Sequence, residues 1–455
     1  MLAHTFLCSV TEYRRNPMER ITVNFSEITG KIKPMHAINN GPLKKRDDQT
    51  RHNFDTYKAS GIPFARNHDA AFCDAYGGEH SVDVHNIFPD FDADPNDPAS
   101  YDFVLTDEYI ERTMAAGAET YYRLGAKIEH NIKKYGTLPP KDYRKWAVIC
   151  EHIIRHMNEG WADGHHYGIT YWEIWNEPDL DPDDSPNKRC WGGTEAEFFE
   201  FFAEAACHLK SCFPDLKIGG PALAHRMDWA ERFLKYMSEH KVPLDFFSWH
   251  IYTTSPDAMV NKCCAVQALM DKYGYTDAEN ILNEWNYIRN WGDAFIYSVK
   301  TIINMKGAAF IAGCMLGCQN SPLDMLMYYD AQPSCFCGLW DYYTMEPIKG
   351  YYPFPMFDCL YRLGNAAAVE NPVPGVKAVA ASGENGGAVM LVYYNDDDGC
   401  TDTREFDLSL TGTDAETAVV SLLDEENDCT ETTVTVTDGA VHLVMKKNSV
   451  VLVKV

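Results

Sequence analysis

The chain of 455 residues is 45% hydrophobic and 13% aromatic, which is enough apolar material for one large globular domain and a smaller second one. Its 66 acidic and 40 basic residues give a formal charge of −26. This balance argues against nucleic acid as a partner, because such binding needs a basic face. No stretch approaches the ~20 uninterrupted apolar residues of a membrane helix, which excludes integral insertion into a membrane.

The cysteines and the first residues bear on the cellular compartment. Fifteen cysteines cannot all pair within one chain, and Cys150, Cys190 and Cys207 lie in predicted core or helical segments, where a free thiol packs as a small hydrophobe. The opening MLAHTFLCSV lacks a basic region and has only a short apolar run, so it is a poor secretion signal. Both observations favour a reducing cytoplasm. Met18 is an alternative start, which would make residues 1–17 an extension.

From about residue 35 to 365, short β-rich segments alternate with longer helical ones, the pattern of a parallel α/β architecture. Helices are predicted at 194–212, 228–240 and 256–273, among others. The eight predicted strands are 35–40, 62–67, 119–124, 169–175, 217–221, 245–250, 280–284 and 308–316. Eight strands that alternate with helices predict a (β/α)8 barrel.

Beyond residue 370 the pattern changes to short alternating runs between Gly, Asn and Asp turns, such as AVMLVYYN, EFDLSL and SVVLVKV. These runs predict a C-terminal antiparallel β-sandwich. A β-rich segment near residues 21–25 is expected to join it. The predicted domains are an N-terminal extension and strand at 1–34, a catalytic barrel at 35–368 and the sandwich at 369–455.

The longest predicted insertion, 73–102, follows the second strand and therefore lies at the mouth of the barrel, where active sites form. Its segment DFDADPN has proline where a calcium loop needs glycine and no glutamate at the twelfth position, so we interpret it as a solvated loop. Nearby His80, Asp83 and His85 either line the substrate cleft or cap the loop.

Other polar groups carry weaker signals. The cysteine pairs Cys263–Cys264 and Cys335–Cys337 have no second pair of ligands at the spacing of a zinc site. His165 and His166 follow a glycine in a turn and are predicted to lie at the surface. Arg123 and Lys127 either bind a carboxylated sugar or form an ordinary salt bridge, and the salt bridge is favoured. No metal or cofactor is expected.

The strongest chemical signal is YWEIWNEP, residues 171–178. An apolar strand ends there in an Asn–Glu–Pro turn, at the edge where barrel enzymes keep their catalytic groups. The surrounding aromatic residues would desolvate Glu177 and raise its pKa, as a general acid requires.

A second apolar strand ends in ILNEWN, residues 281–286, which places Glu284 at the same rim. Glycosidases use two carboxylates, one to donate a proton to the leaving oxygen and the other to attack the anomeric carbon or activate water. The pair therefore predicts glycosidic bond cleavage. The alternative for Glu284 alone is a salt bridge at the rim.

With these motifs the chain resembles glycoside hydrolase family 39, the β-xylosidase and α-L-iduronidase family of clan A. The segments LPPKDY, KIGGPA and VPLDF, followed by Ser248 and His250, are similar to further parts of that family. The resemblance runs from about Met18 to Phe357. It implies that Glu177 is the acid/base and Glu284 the nucleophile.

The resemblance also implies the residues that bind the sugar. Asn176 would hold the 2-hydroxyl, Arg66 would support the nucleophile, and His68 would contact the sugar. His250 is expected in the substrate site. Tyr252, two residues further, either hydrogen-bonds Glu284 or packs at the rim.

The sequence departs from the family at three places. Asp69 stands where the family usually has glycine, which adds a carboxylate beside the sugar. The predicted eighth strand, 308–316, lacks the tryptophan that stacks under the sugar in relatives. Trp285, directly after the predicted nucleophile, replaces a smaller or aromatic residue of the family and is expected to take over the stacking.

Together these observations predict a retaining glycoside hydrolase that acts by double displacement, in exo fashion, on β-xylosides or related pyranosides. The alternatives are a hydrolase of uronic-acid glycosides, a non-catalytic carbohydrate-binding protein on the same barrel, and a metal-dependent barrel enzyme that uses the loop rich in His and Asp. A carbohydrate is the expected partner, and the sequence is compatible with a homo-oligomer.

Overall fold

The computed structural model describes residues 19–45, 47, 51–70 and 81–455. Met18 and His80 therefore lie outside the described residues. The first described element, β1 (Glu19–Lys31), belongs to the C-terminal sheet and precedes the barrel.

Eight parallel strands close into a barrel in the order in which they occur along the chain. They are β2 (Ala37–Asn39), β3 (Phe64–Arg66), β4 (Glu119–Leu124), β5 (Tyr171–Ile174), β6 (Lys217–Leu223), β7 (Phe246–Thr253), β8 (Glu279–Tyr287) and β9 (Met325–Tyr328). The predicted (β/α)8 barrel is confirmed.

Ten α-helices accompany the strands in the described residues. They are α1 (Phe54–Ala59), α2 (Val84–Ile87), α3 (Val104–Ala115), α4 (Tyr143–Glu159), α5 (Glu195–Cys212), α6 (Met227–Glu239), α7 (Pro256–Lys272), α8 (Phe295–Ile302), α9 (Met305–Gln319) and α10 (Pro353–Leu363). Among these residues no single helix is long and apolar enough to cross a membrane. Helices α8 and α9 together have the length and composition of a membrane span, but they are bent by 79° at the break between them.

Helix α5 shows how the local sequence sets the elements. Thr194 and Glu197 form a reciprocal capping box at its start, which satisfies backbone N–H groups that have no partner within the helix. Its phenylalanines are buried against the barrel and α6. The helix therefore begins and packs where the sequence predicts.

The predicted eighth strand at 308–316 is wrong. These residues lie inside α9, in which all but one residue is buried, and the eighth strand is β9. A continuous apolar run is compatible with a buried strand or a buried helix, and periodicity cannot distinguish the two when every face is covered. The comparison with a stacking tryptophan was therefore made at the wrong residues.

The barrel interior is layered. At the N-terminal end of the strands, apolar side chains fill it, namely Ala37, Tyr121, Tyr171, Phe246, Ile281, Met325 and Met327. Polar side chains follow towards the C-terminal ends, where Arg66 and Glu173 are fully buried. The apolar layer closes the barrel from below and leaves the polar layer to form a site at the rim.

The second unit is one continuous nine-stranded sheet with its own apolar core. Besides β1 it contains β10 (Asn365–Glu370), β11 (Val376–Gly383), β12 (Gly386–Tyr393), β13 (Thr403–Thr411), β14 (Thr417–Leu423), β15 (Asp428–Thr435), β16 (Ala440–Lys446) and β17 (Ser449–Lys454). The sheet is mixed, because β1 pairs antiparallel with β10 but parallel with β13. It packs against α9 and α10 of the barrel.

Candidate active site

The turn after β5 carries Glu177 over the mouth of the barrel. Trp175 and Glu177 both have positive φ angles, 75° and 49°, a conformation that costs non-glycine residues energy and recurs at active sites. Backbone hydrogen bonds hold the turn, from Trp175 N to Leu124 O at 2.7 Å and from Glu177 N to Ala222 O at 2.9 Å. The strained turn therefore has a fixed position relative to the neighbouring strands.

The environment of Glu177 favours its protonated form. Burial, followed by the charge of Asp179, raises the pKa of Glu177 to about 7. The Cys190 thiol lies 3.9 Å from Oε2, and burial raises the pKa of that thiol well above its ordinary value, so it stays protonated. A carboxyl group with a pKa near 7 can donate and accept a proton at neutral pH.

Glu284 lies opposite, on β8, and is 6% exposed. Tyr252 donates a hydrogen bond to its Oε1 at 2.6 Å, so the first of the two interpretations of Tyr252 is correct. Burial raises the pKa of Glu284 and the charge of Glu177 adds to the rise, whereas the positive charge of Arg66 and the Tyr252 hydrogen bond oppose it. The contacts with Arg66 and Tyr252 favour the carboxylate form and orient it.

Arg66 lies fully buried inside the barrel, beside Glu284. Its guanidinium donates to Glu173 Oε2 at 2.7 Å, to Asn39 Oδ1 at 3.1 Å and to Glu284 Oε2 at 3.4 Å. A fourth bond, 2.6 Å long, goes to Asn176 Oδ1 and directs the amide nitrogen of Asn176 away from the arginine. The arginine thus links the nucleophile candidate to the residue expected to bind the 2-hydroxyl.

His250 lies between the two candidate catalytic carboxylates. Its Nδ1 is 2.9 Å from Glu177 Oε1 and 3.6 Å from Glu284 Oε2. Burial lowers the pKa of His250 to about 4, so the ring is neutral at pH 7. A neutral imidazole bridges the pair without neutralising either carboxylate.

The separation of the two carboxylates decides which chemistry the site can perform. One carboxylate oxygen of Glu177 and one of Glu284 lie within 4.8 Å of each other, and a ring nitrogen of His250 lies within the same distance of both. Retaining glycosidases hold their carboxyl groups ~5–5.5 Å apart, whereas inverting enzymes need ~6.5–9.5 Å to admit a water molecule. The spacing fits the retaining geometry.

Glu173 belongs to the site but was not among the predicted residues. It is fully buried inside the barrel and accepts hydrogen bonds from Arg66, Ser248 Oγ at 2.6 Å and Tyr121 OH at 3.2 Å. The signal was available, because Tyr171 and Glu173 alternate with Trp172 along the strand and therefore share the inner face. Glu173 holds Arg66 in place.

His68 and Asp69 follow β3 on the same rim. Tyr329 donates a hydrogen bond to Asp69 Oδ2 at 2.5 Å, and the ring of His68 lies 6.5 Å from that of Tyr329. Tyr329 comes directly after the true eighth strand. An aromatic residue therefore stands at the end of the eighth strand, whereas the segment 308–316, wrongly predicted as that strand, offered no stacking tryptophan.

The expectation that Trp285 stacks against the sugar is wrong. Its side chain is fully buried and packs against Phe310 of α9 and Tyr328 of β9. A β-bulge interrupts the alternation of β8 between Leu282 and Glu284, so that Glu284 faces the interior of the barrel and Trp285 faces the surrounding helices. Trp285 supports the strand and does not reach the site.

The aromatic surface beside Glu284 comes instead from Tyr252 together with three residues that the sequence did not single out, Trp291, Phe336 and Tyr329. Trp291 is 61% exposed, and its ring lies 5.0 Å from Tyr252 and 6.1 Å from Phe336. Phe336 in turn lies 5.5 Å from Tyr329. We call these four residues the aromatic wall. Such a surface suits the apolar faces of sugar rings or of an aglycone.

Asp83 and Arg123 form a buried ion pair, 2.6 Å long. Asp83 also accepts the backbone N–H of Lys127. The salt-bridge interpretation of Arg123 is thus correct, and Asp83 has a structural role. His85 packs edge-on against Tyr135.

A closed (β/α)8 barrel with two carboxylates at this spacing on its C-terminal rim is typical of the retaining glycosidases. Residues 72–292 match the model of glycosyl hydrolases family 39. The resemblance inferred from the sequence is thereby confirmed for that segment.

Two curated relatives share a shorter stretch. A β-xylosidase of Geobacillus stearothermophilus is 28% identical over 183 residues, 37% of this chain and 34% of the relative. A β-xylosidase of Caldicellulosiruptor saccharolyticus is 28% identical over 148 residues, 32% of this chain and 26% of the relative. The match therefore spans about a third of the first relative and a quarter of the second.

Solved structures resemble almost the whole chain. A glucosidase of Croceicoccus marinus has a TM-score of 0.76 at 21% identity and covers 96% of this chain and 98% of its own. A monomeric β-xylosidase of Caulobacter crescentus has a TM-score of 0.70 at 16% identity and covers 96% and 99%. At these identities the likeness shows that the barrel and the sheet form a shared fold.

Proposed function

We propose that the protein is a retaining glycoside hydrolase in which Glu177 is the acid/base and Glu284 the nucleophile. The observation that carries the proposal is the spacing of the two carboxylates, whose oxygen atoms lie within 4.8 Å of one another. That spacing is shorter than the ~6.5–9.5 Å at which inverting enzymes hold their carboxyl groups to admit a water molecule. It favours direct attack by the carboxylate.

In the first step Glu177 donates its proton to the glycosidic oxygen while Glu284 attacks the anomeric carbon. The bond from that carbon to the glycosidic oxygen breaks, the aglycone leaves as an alcohol, and a glycosyl ester forms on Glu284. The pKa of about 7 keeps a large fraction of Glu177 protonated at neutral pH. Arg66 and Tyr252 orient the attacking carboxylate.

In the second step Glu177, now a carboxylate, takes a proton from water as the water oxygen attacks the anomeric carbon. The ester bond to Glu284 breaks, the sugar leaves with its original anomeric configuration, and both glutamates return to their starting states. The same carboxyl group serves in both directions because its pKa lies near the working pH.

The proposed substrates are β-linked pyranosides, with β-xylosides first. The curated relatives named β-xylosidases support this choice. Asn176, held by Arg66, can donate its amide to a 2-hydroxyl, a contact that strengthens at the oxocarbenium-like transition state. The aromatic wall would pack against the apolar face of the substrate. We propose exo action, which release of single sugars from short oligosaccharides would test.

A panel of 4-nitrophenyl glycosides tests the proposal, with xyloside, arabinoside, glucoside, galactoside and glucuronide as its members. With a chelator present, we expect the wild type to turn over the xyloside. Both Glu177→Gln and Glu284→Gln should lose this activity. The Trp285→Phe variant, altered outside the site, serves as the active control.

Three results would contradict the proposal or part of it. No turnover of any glycoside would favour a carbohydrate-binding protein. Preference for the glucuronide would refute the substrate class while leaving the mechanism intact. Activity that a chelator abolishes would favour a metal-dependent reaction.

A further inference from the structure

A cluster of two histidines and one aspartate lies apart from the catalytic pair. Asp107 is in the first turn of α3, His156 in the last turn of α4, and His165 in the segment between α4 and β5. His156 Nε2 lies 3.0 Å from Asp107 Oδ1, and His165 Nε2 lies 3.4 Å from Asp107 Oδ2. This segment precedes β5, whereas Glu177 follows it.

The hydrogen bonds of His156 determine which of its nitrogens faces the aspartate with a lone pair. Its Nδ1 lies 2.9 Å from the backbone carbonyl of Trp161, and because a carbonyl oxygen only accepts, Nδ1 carries the proton. In the neutral ring Nε2 is then unprotonated and faces a carboxylate oxygen at 3.0 Å. Two acceptors at that distance require a proton or a cation.

The same arrangement is the usual one for a histidine that binds a metal. Such a histidine donates its second N–H to a carbonyl or carboxylate, which fixes its tautomer and orientation. Phe103 stacks on the ring of His156 with a centroid distance of 3.5 Å and further immobilises it. His165 Nε2 is buried and has no hydrogen-bond partner in the described residues.

The spacing of the donors suits a small transition metal. One donor atom from each residue lies within 4.8 Å of the other two. A single point can therefore lie within about 2.8 Å of all three, so a small contraction reaches the ~2.0–2.2 Å of zinc bonds to His and Asp. The side chains of Asp107 and His165 are about 30% exposed, which gives an ion and a water ligand access.

A third cluster of donors differs from this one in its charge. Glu151, His208 and Cys212 are equally close together, but Arg155 pairs with Glu151 at 2.9 Å and places a positive charge there. The ion-pair partners of Asp107 in the described residues, in contrast, are the two histidines themselves. Its carboxylate therefore faces no arginine or lysine ion-pair partner among these residues that would compete with a cation.

We propose that Asp107, His156 and His165 bind a divalent transition metal ion of the zinc type, with water as the fourth ligand. Imidazole and carboxylate are donors that such ions accept. The ion would join α3, α4 and the segment that leads into β5. This role is structural and separate from the proposed hydrolysis, which needs no metal.

The test is titration of chelator-treated, dialysed protein with Zn²⁺, followed by calorimetry. We expect wild type to bind one equivalent, and Asp107→Asn and His165→Gln to bind it at least tenfold more weakly. The control is His166→Gln, because His166 is adjacent but its Nδ1 contacts Asn158 O; this variant should bind as wild type does. At a hundredfold excess over the dissociation constant, Zn²⁺ should raise Tm by about 3 °C in wild type and His166→Gln only.

Substitution with Co²⁺ identifies the ligands. The proposal predicts visible d–d bands without the near-ultraviolet charge-transfer band of a thiolate. It is overturned if wild type binds no Zn²⁺, if His165→Gln binds as tightly as wild type, or if a thiolate band appears. Binding that survives His165→Gln but is lost in Glu177→Gln would place the ion at the catalytic pair and also overturn it. Circular dichroism of each metal-free variant establishes that it is folded.

Discussion

The pH dependence of hydrolysis should report the ionisation of Glu177. Burial and the charge of Asp179 raise its pKa to about 7, and only the protonated form can donate to the leaving oxygen. With a pKa of 7, about 90% of the group is protonated at pH 6 and about 10% at pH 8. We therefore expect kcat/KM for 4-nitrophenyl xyloside to fall about tenfold between these two pH values and about tenfold for each further pH unit.

Initial rates at low substrate concentration, measured from pH 5 to 9, give this profile. The internal control is 2,4-dinitrophenyl xyloside, whose leaving group departs without protonation and should show little of the decrease. In Glu177→Gln the decrease should disappear, and turnover of the 4-nitrophenyl substrate should be ~10²–10⁴-fold lower. A basic limb near pH 4.5, or one that persists in Glu177→Gln, would refute the assignment of Glu177 as the acid.

Four further predictions follow from the same contacts. Tyr252→Phe removes a 2.6 Å hydrogen bond to Glu284 and should lower kcat/KM by about 10–150-fold, since a bond to a charged group contributes ~1.5–3 kcal/mol; an unchanged value would show that Tyr252 does not hold the nucleophile. Trp285→Phe, in a fully buried position, should lower the free energy of unfolding by about 1–2 kcal/mol in urea titrations while KM stays within about twofold. Trp291→Ala, at a 61% exposed position, should instead raise KM and leave the urea midpoint unchanged. If Trp285→Phe raised KM and Trp291→Ala lowered the stability, our assignment of the aromatic wall would be wrong. Glu177→Gln should be more stable than wild type at pH 8, by up to about 3 kcal/mol, because a pKa raised from 4.5 to about 7 means that the carboxylate form destabilises the folded protein. This difference in stability should decline as the pH falls through 7 and vanish below pH 4.5. Thermal unfolding at several pH values measures it.

The sequence predicted most of the barrel because seven of its strands are short apolar runs that end in recognisable polar residues. The chemistry of Glu177 and Glu284 could be read from these ends, since carboxyl ends of barrel strands share one rim. The contacts of Arg66 with Glu284 and Asn176 also agree with what the family resemblance implied. The roles of these residues stay predictions until variants are measured.

The errors have identifiable physical causes. The strand predicted at 308–316 is part of α9, because a helix that is buried on all sides has no polar face to reveal its period. That error led to the search for a substitute stacking residue and to Trp285. Strict alternation from Ile281, which lines the barrel, would also place Trp285 on the inner face, and only the β-bulge between Leu282 and Glu284 turns Trp285 outward.

Other parts of the site could not be found in the sequence. Trp291 and Phe336 come from different loops, and only the fold brings them together with Tyr252. The low pKa of His250 depends on its complete burial, which no local pattern encodes. The Asp107–His156–His165 cluster likewise joins residues from three separate segments.

Proton NMR of the first-formed sugar tests the central claim most directly. With 4-nitrophenyl β-xyloside and enough enzyme to outrun mutarotation, we predict that the β-anomer appears first, because direct attack by Glu284 and then by water inverts the anomeric carbon twice. Initial appearance of the α-anomer would mean a single displacement by water and would contradict the assignment of Glu284 as nucleophile.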